Sequence, residues 1–273
     1  MVAFTFWNVD NTDKPRDIAM PLVRLAIETR CDVLITAETG DAHVGLESYL
    51  QAACDVNFRH LTLLPCRVHV WTKLPSTRLR RVESVASLYE AFELLSASLD
   101  PVLLVFAHLR SKPRRHSTRE WADTLEFVAA LRKMEQRRSV GGGTVVLGDL
   151  NLHPYDVAMR YPDSLNAVAS RQVVTARPRR THRKATYERF YNPTWNLLGD
   201  ANGPPGTHYW RNGREEAGWY VLDHVLLRPA IVPRFRTSSL RVVTTIGRET
   251  LVGSDGTLAR RWPDHLPLTF ELE

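Results

Sequence analysis

The sequence predicts an α/β fold, on three observations. Short apolar runs of strand character, Val33 to Ile35, Val102 to Ala107 and Thr144 to Leu147, are continuous enough to be buried on both faces. Helical periodicity separates them, most clearly over Ser117 to Gln136, where Trp121, Leu125, Val128 and Leu131 share one face. Each buried run is also followed closely by a polar residue: Glu38, His108 and Asp149. Such groups at strand ends are the raw material of a site.

Val2 to Asn8 alternates as a half-buried strand does and ends in Trp7-Asn8-Val9-Asp10. Lys14-Pro15-Arg16-Asp17 opens a helix with proline in its first turn, and Ile18, Leu22, Leu25 and Ala26 form its apolar face. Cys31 to Ala37 is the next strand and delivers Glu38 ahead of Thr39-Gly40. A short helix is expected over Leu46 to Ala53, then strands over Phe58 to Leu64, Val68 to Thr72, Arg78 to Val85 and Leu88 to Leu95. The alternation of Arg78 to Val85 suits the exposed edge of an antiparallel sheet.

Gly141 to Gly143 release the long helix, and Gly148 is expected to close the strand that follows. Two positions apart in extended chain, Asp149 and Asn151 would project to one side and converge on a single point; an Asx turn closing the strand is the alternative. A helical stretch is expected from Pro154-Tyr155-Asp156 to about Ser170. Residues 171–219 change character. They carry Arg177, Arg179, Arg180, Arg183 and Lys184, then Tyr187, Phe190, Tyr191, Trp195, Tyr209 and Trp210, interrupted by Asn192-Pro193 and Gly203-Pro204-Pro205-Gly206. This reads as a structured excursion that shapes a binding surface. Strands resume at Tyr220 to Leu227, which contains Asp223, at Leu240 to Thr245, and at Leu268 to Leu272 after Trp262-Pro263-Asp264-His265.

At 273 residues and 44% hydrophobic content the chain can bury a substantial core. Its formal net charge of +6 and a pI near 9.4 point to an anionic partner such as nucleic acid or an acidic membrane surface. Cys31, Cys54 and Cys66 are odd in number and lack a paired zinc spacing, which fits a reducing compartment; Cys66 and His69 would be half of a zinc site with no second half. No secretory leader or membrane-length apolar span is read, so a soluble cytoplasmic protein is expected.

Trp7-Asn8, Glu38, His108-Leu109, Gly148-Asp149-Leu150-Asn151, Asp223 and Asp264-His265 together resemble, in order and spacing, the endonuclease/exonuclease/phosphatase superfamily with its DNase I-like fold. The resemblance spans Asn8 to His265. It implies one domain over residues 1–273: a two-sheet α/β sandwich flanked by helices, with the active site at one sheet edge. It further implies a divalent metal, Mg²⁺ or Mn²⁺, held by Glu38 with Asn8 and Asp264. By the same resemblance Asp149 activates the attacking water, Asn151 holds that water or a phosphate oxygen, and His265 stabilises developing charge. Asp223 fixes the His265 ring, and His108 contacts phosphate or protonates the leaving oxygen.

Ala37 and Pro263 depart from the family pattern, which often has Gln and Ser there. His108 stands where the apurinic endonuclease branch usually places tyrosine; His at this position resembles the DNase I, sphingomyelinase, deadenylase and inositol-phosphatase branches. His43, His60, His69, His116, His153 and His182 match no family role and are read as packing or surface residues, and His224 should face away from Asp223. The expected activity is nucleic-acid phosphodiester hydrolysis, with Arg177, Arg179, Arg180 and Arg183 tracking phosphates and Tyr191 and Trp195 stacking bases. A phosphatase or phospholipase acting on inositol phosphates or lipid headgroups is the alternative, and a catalytically silent binding module a further one.

Overall fold

Alternation in Val2–Asn8 produces a strand with every residue but Ala3 buried, because it lies inside a sheet between two neighbours. Val33–Ala37 runs parallel to it, in register from Phe4↔Val33 to Asn8↔Ala37. A parallel pair needs a crossover, and the Ala19–Glu28 helix belongs to it, burying Leu22, Val23, Leu25 and Ala26. Leu268–Leu272 pairs antiparallel on the other side of the first strand. The six-stranded sheet thus runs Arg241–Val242, Leu268–Leu272, Val2–Asn8, Val33–Ala37, Val68–Thr72, Arg59–His60.

The computed structural model describes residues 1–10, 17–54, 57–62, 66–86, 88–110, 118–138, 141–201, 203–211 and 218–273. These divide into two units. The first is Met1–Pro75 with Leu197–Val221 and Arg236–Glu273, which holds the sheet above; the second is Ser76–Asn196 with Leu222–Phe235. Trp7, Leu22, Leu34, Leu50, Trp71 and Trp262 belong to one buried cluster of the first unit.

The second unit holds a seven-stranded sheet in the order Leu79–Val85, Tyr89–Leu94, Val102–His108, Thr144–Asp149, Asp223–Leu227, Phe190–Tyr191, Ala167–Val168. Leu79–Val85 is its edge strand and keeps the partly exposed pattern its alternation predicted. Helix Thr118–Arg137 joins the parallel strands Val102–His108 and Thr144–Asp149, and buries Phe127, Val128, Leu131 and Met134. Leu125, expected on the buried face, is only half-buried, and the Trp121 side chain lies outside the described residues.

Several expectations need correction. The strand at Thr144 does not stop at Gly148; it continues to Asp149, which still pairs with His108 and Asp223. Glycine is required there: its φ is 146°, and a Cβ would lie 1.9 Å from the Ala107 carbonyl oxygen. The helix expected to about Ser170 is only Val157–Arg160; Asn166 at φ 52° and the short Ala167–Val168 strand occupy the remainder. The expected Leu240 to Thr245 strand is two separate pairs, Arg241–Val242 and Thr245–Ile246. Tyr220 to Leu227 likewise splits into Gly218–Tyr220 and Asp223–Leu227. The first helix begins at Ala19, and Lys14 to Arg16 lie outside the described residues, as does His116.

Candidate active site

Strand pairing in the second unit sets three polar residues in one row. His108 ends its strand opposite Asp149, and Asp149 ends its own strand opposite Asp223. All three are buried, with His108 Nε2 3.7 Å from Asp149 Oδ2. Backbone bonds hold the row: the His108 N–H donates to the Leu88 carbonyl at 2.9 Å, the Leu109 N–H to the Asp149 carbonyl at 2.9 Å, and the Leu150 N–H to the Leu222 carbonyl at 3.0 Å. Taking polar side chains out of water is costly, so a buried acid and imidazole side by side require either mutual support or a ligand.

Asn151 reaches this group by the second of the two routes its spacing allows. Its φ is 50°, so it is not extended, and its backbone N–H donates to Asp149 Oδ1 at 2.9 Å. That is the Asx turn the Asp-Leu-Asn spacing also allowed. The Asn151 amide then donates from Nδ2 to the Leu109 carbonyl at 2.8 Å, which leaves its Oδ1 oriented by a fixed side chain. His224 is fully buried elsewhere, close to Thr194 Oγ1 through Nδ1 and to the Leu152 carbonyl through Nε2.

The first unit collects a second set. Asn8 and Ala37 are register partners at the ends of adjacent parallel strands, so Asn8 and Glu38 leave the same sheet edge. Asn8 is buried and its Oδ1 accepts the Asp10 N–H at 3.1 Å. Glu38 has φ 52°, an uncommon conformation for a residue with a side chain, and its turn is stapled by the Thr36 and Thr39 hydroxyls 2.7 Å apart. Asp264-His265 comes to the same edge because Leu268–Leu272 pairs antiparallel with Val2–Asn8 and the Trp7 indole donates to the His265 carbonyl at 2.9 Å.

Beside Asp264 lies His208, to which the sequence assigned no role. His208 Nε2 is 3.6 Å from Asp264 Oδ2, His265 Nε2 is 3.9 Å from Asp264 Oδ1, and the two rings meet at 4.6 Å. Burial alone would raise the Asp264 pKa. The His208 contact and the charges of His265, His208 and Arg211 outweigh it, so the carboxyl is held well below its ordinary value and is an anion at neutral pH. Arg211 itself is anchored on the carbonyls of Leu258, Ala259 and Trp262. A signal for His208 exists: Thr207 to Trp210 is rich in strand-forming residues and follows a Gly-Pro-Pro-Gly turn, so a strand-borne histidine was readable.

The basic excursion forms a hairpin, Arg179–His182 with Ala185–Glu188, and Arg177, Arg179, Arg180 and Arg183 on and beside it are all exposed. Its two-residue turn is Arg183-Lys184 with φ 45° and 67°, a place where Asn-Gly is the favoured pair. Two cations are therefore presented at the tip at some backbone cost. Tyr191, expected to stack bases, is instead 3% exposed and packs edge-on against Phe235. Its strand sits between two others, and that position makes it core. Trp195 is half-buried, 6.2 Å from the exposed Tyr155 ring.

The sequence matches the Endonuclease/Exonuclease/phosphatase family over residues 5–255. No curated protein matches the chain. Among solved structures it is similar to an AP endonuclease from Archaeoglobus fulgidus, with TM-score 0.61, 14% identity and 100% of both chains covered. It is also similar to truncated Caenorhabditis elegans TDP2, with TM-score 0.59, 16% identity, and 98% of this chain and 96% of that one covered. A third likeness is to the 3′ phosphatase NExo from Neisseria bound to product DNA hairpin, with TM-score 0.59, 14% identity and 100% of both chains covered. At these identities the likeness establishes the DNase I-like fold.

Proposed function

The chain belongs to the Endonuclease/Exonuclease/phosphatase family, and from that premise we propose that it is a divalent-metal-dependent phosphodiesterase that hydrolyses nucleic-acid phosphodiester bonds. The observation that carries this reading is the buried row His108, Asp149 and Asp223 on three adjacent strand ends, a placement that packing alone does not call for. Family members are hydrolases of phosphoester bonds and are typically dependent on divalent metals.

The residues present fit such an ion. Glu38, Asn8 and Asp264 offer only oxygen donors on one sheet edge, and Asp264 is held anionic, as a hard dication such as Mg²⁺ or Mn²⁺ requires. When bound, the metal supplies charge neutralisation and Lewis acidity at the phosphate. Asp149, buried and already accepting the Asn151 N–H, orients and deprotonates the attacking water. Asn151, its own side chain fixed on Leu109, holds that water or a phosphate oxygen. His265 stabilises charge on phosphorus-bound oxygen, and His108 contacts phosphate or protonates the leaving oxygen.

The exposed arginines of the hairpin support an extended polyanion as substrate, since a small monoester would engage only the groups named above. Two of the similar structures, an AP endonuclease and a DNA-bound 3′ phosphatase, support the same direction. The test is turnover on duplex DNA, single-stranded DNA, RNA, and inositol and lipid phosphates, with Mg²⁺ or Mn²⁺ and with chelator. Nucleic acid should be cut only with metal, and Glu38→Gln should abolish cutting while leaving the melting temperature nearly unchanged. Asp149→Asn and His108→Ala should lower kcat by orders of magnitude with substrate binding kept. Turnover of inositol or lipid phosphates alone would overturn the nuclease assignment, and full activity in chelator would overturn the metal.

A further inference from the structure

His208 has no part in the reaction above, yet it lies against two residues that do. One donor atom from each of His208, Asp264 and His265 falls within 4.8 Å of the others. His208 Nε2 lies 3.6 Å from Asp264 Oδ2, and His265 Nε2 lies 3.9 Å from Asp264 Oδ1. A tetrahedral ion with bonds of about 2.0–2.2 Å separates neighbouring donors by about 3.3–3.6 Å, so small side-chain shifts would close the set around a cation.

The backbone beneath these donors is locked. His208 and His265 face each other across an antiparallel bridge, the Tyr209 N–H donates to the Asp264 carbonyl at 2.8 Å, and the Leu266 N–H to the Thr207 carbonyl at 2.7 Å. Both imidazoles are buried, while the Asp264 side chain is 33% exposed, which leaves a way in for an ion and for a water as fourth ligand. His208 Nδ1 is buried with no hydrogen-bond partner among the described residues.

We propose that His208, Asp264 and His265 form a binding site for a Zn²⁺-like transition-metal dication, distinct in donor chemistry from the oxygen set Asn8, Glu38 and Asp264. Two imidazoles and one carboxylate are a donor set that suits Zn²⁺ or Co²⁺ and that Mg²⁺ disfavours. Occupation engages Asp264 and His265, so Zn²⁺ inhibits the Mg²⁺-supported enzyme; this consequence, unlike the binding itself, rests on the phosphodiesterase reading.

The experiment is titration of metal-free protein with Co²⁺, followed by its visible absorption, and with Zn²⁺ by calorimetry. One equivalent should bind wild type with the intense bands of tetrahedral Co²⁺, and His208→Leu should weaken binding at least about tenfold while Mn²⁺ binding is kept. If His208→Leu fails to fold by circular dichroism, Asp264→Asn and His265→Gln test the same donor set, each expected to lose Co²⁺ binding. Octahedral Co²⁺ only, no binding, or binding unchanged in these variants would overturn the site. The titration uses no substrate, so its failure is separate from failure of the phosphodiesterase reading, which the turnover panel tests.

Discussion

Acidification from pH 7 to pH 5 should remove about 2 kcal/mol of folding stability through His69 alone. The side chain stands on the Val68–Thr72 strand, 4% exposed, in a ladder of rings: His43 stacks on it at 4.6 Å, His60 at 5.3 Å, and Trp71 lies 5.7 Å away. Its Nδ1 is 3.1 Å from His60 Nε2. Burial, followed by repulsion from His43 and His60, lowers its pKa from 6.5 to about 3, against a smaller opposing bond to the Cys66 backbone. Above 6.5 neither the folded nor the unfolded ring carries the proton. Between 6.5 and 3 only the unfolded chain binds it, so stability present at neutral pH is lost as the pH falls. Integration over that window gives about 0.8 kcal/mol at pH 6 and about 2 kcal/mol at pH 5. His60 is shifted in the same direction, by burial first and then by the charge of His43, so it adds to the loss on acidification. The assay is urea unfolding at pH 7, 6 and 5 of wild type and His69→Gln, compared at constant m-value. Carboxylates common to both cancel in the difference. Equal pH dependence in the two proteins would refute the reasoning.

Gly148→Ala should destabilise by about 2–6 kcal/mol, the sum of a strained φ and a steric clash, because the added Cβ meets the Ala107 backbone oxygen and no side-chain rotation relieves it; a melting temperature within error of wild type would contradict it. Replacing Arg177, Arg179, Arg180 and Arg183 with alanine should weaken nucleic-acid binding and flatten its dependence on salt, as loss of phosphate contacts requires. Equal slopes, or no binding by wild type at low salt, would rule out the hairpin as a nucleic-acid track.

Residues with local reasons for their structure were legible. Val68–Thr72 and Leu268–Leu272 are strands at the predicted boundaries because β-branched and aromatic residues between loop signals leave few alternatives. Tyr191 was misread for the complementary reason: aromatic character is local, but its burial follows from the pairing of its strand with Leu227 and Val168. For Asn151 the spacing left an extended strand end and an Asx turn both open; bonds to Asp149 and Leu109 select the turn, in a left-handed conformation that Asn tolerates better than most residues.

By itself the sequence determined the α/β class, the family, and the polar residues that stand at strand ends, since periodicity and residue order are written along the chain. Tertiary structure alone decided which of those ends are neighbours. His108 meets Asp149 only because two strands separated by a long helix pair in parallel, and Asp223 joins them only through an antiparallel partner from much later in the chain. His208 comes beside Asp264 only through its bridge to His265. Strand order and register arise from closing long loops around a buried core, a balance summed over the sheet, and no short stretch of residues carries that sum.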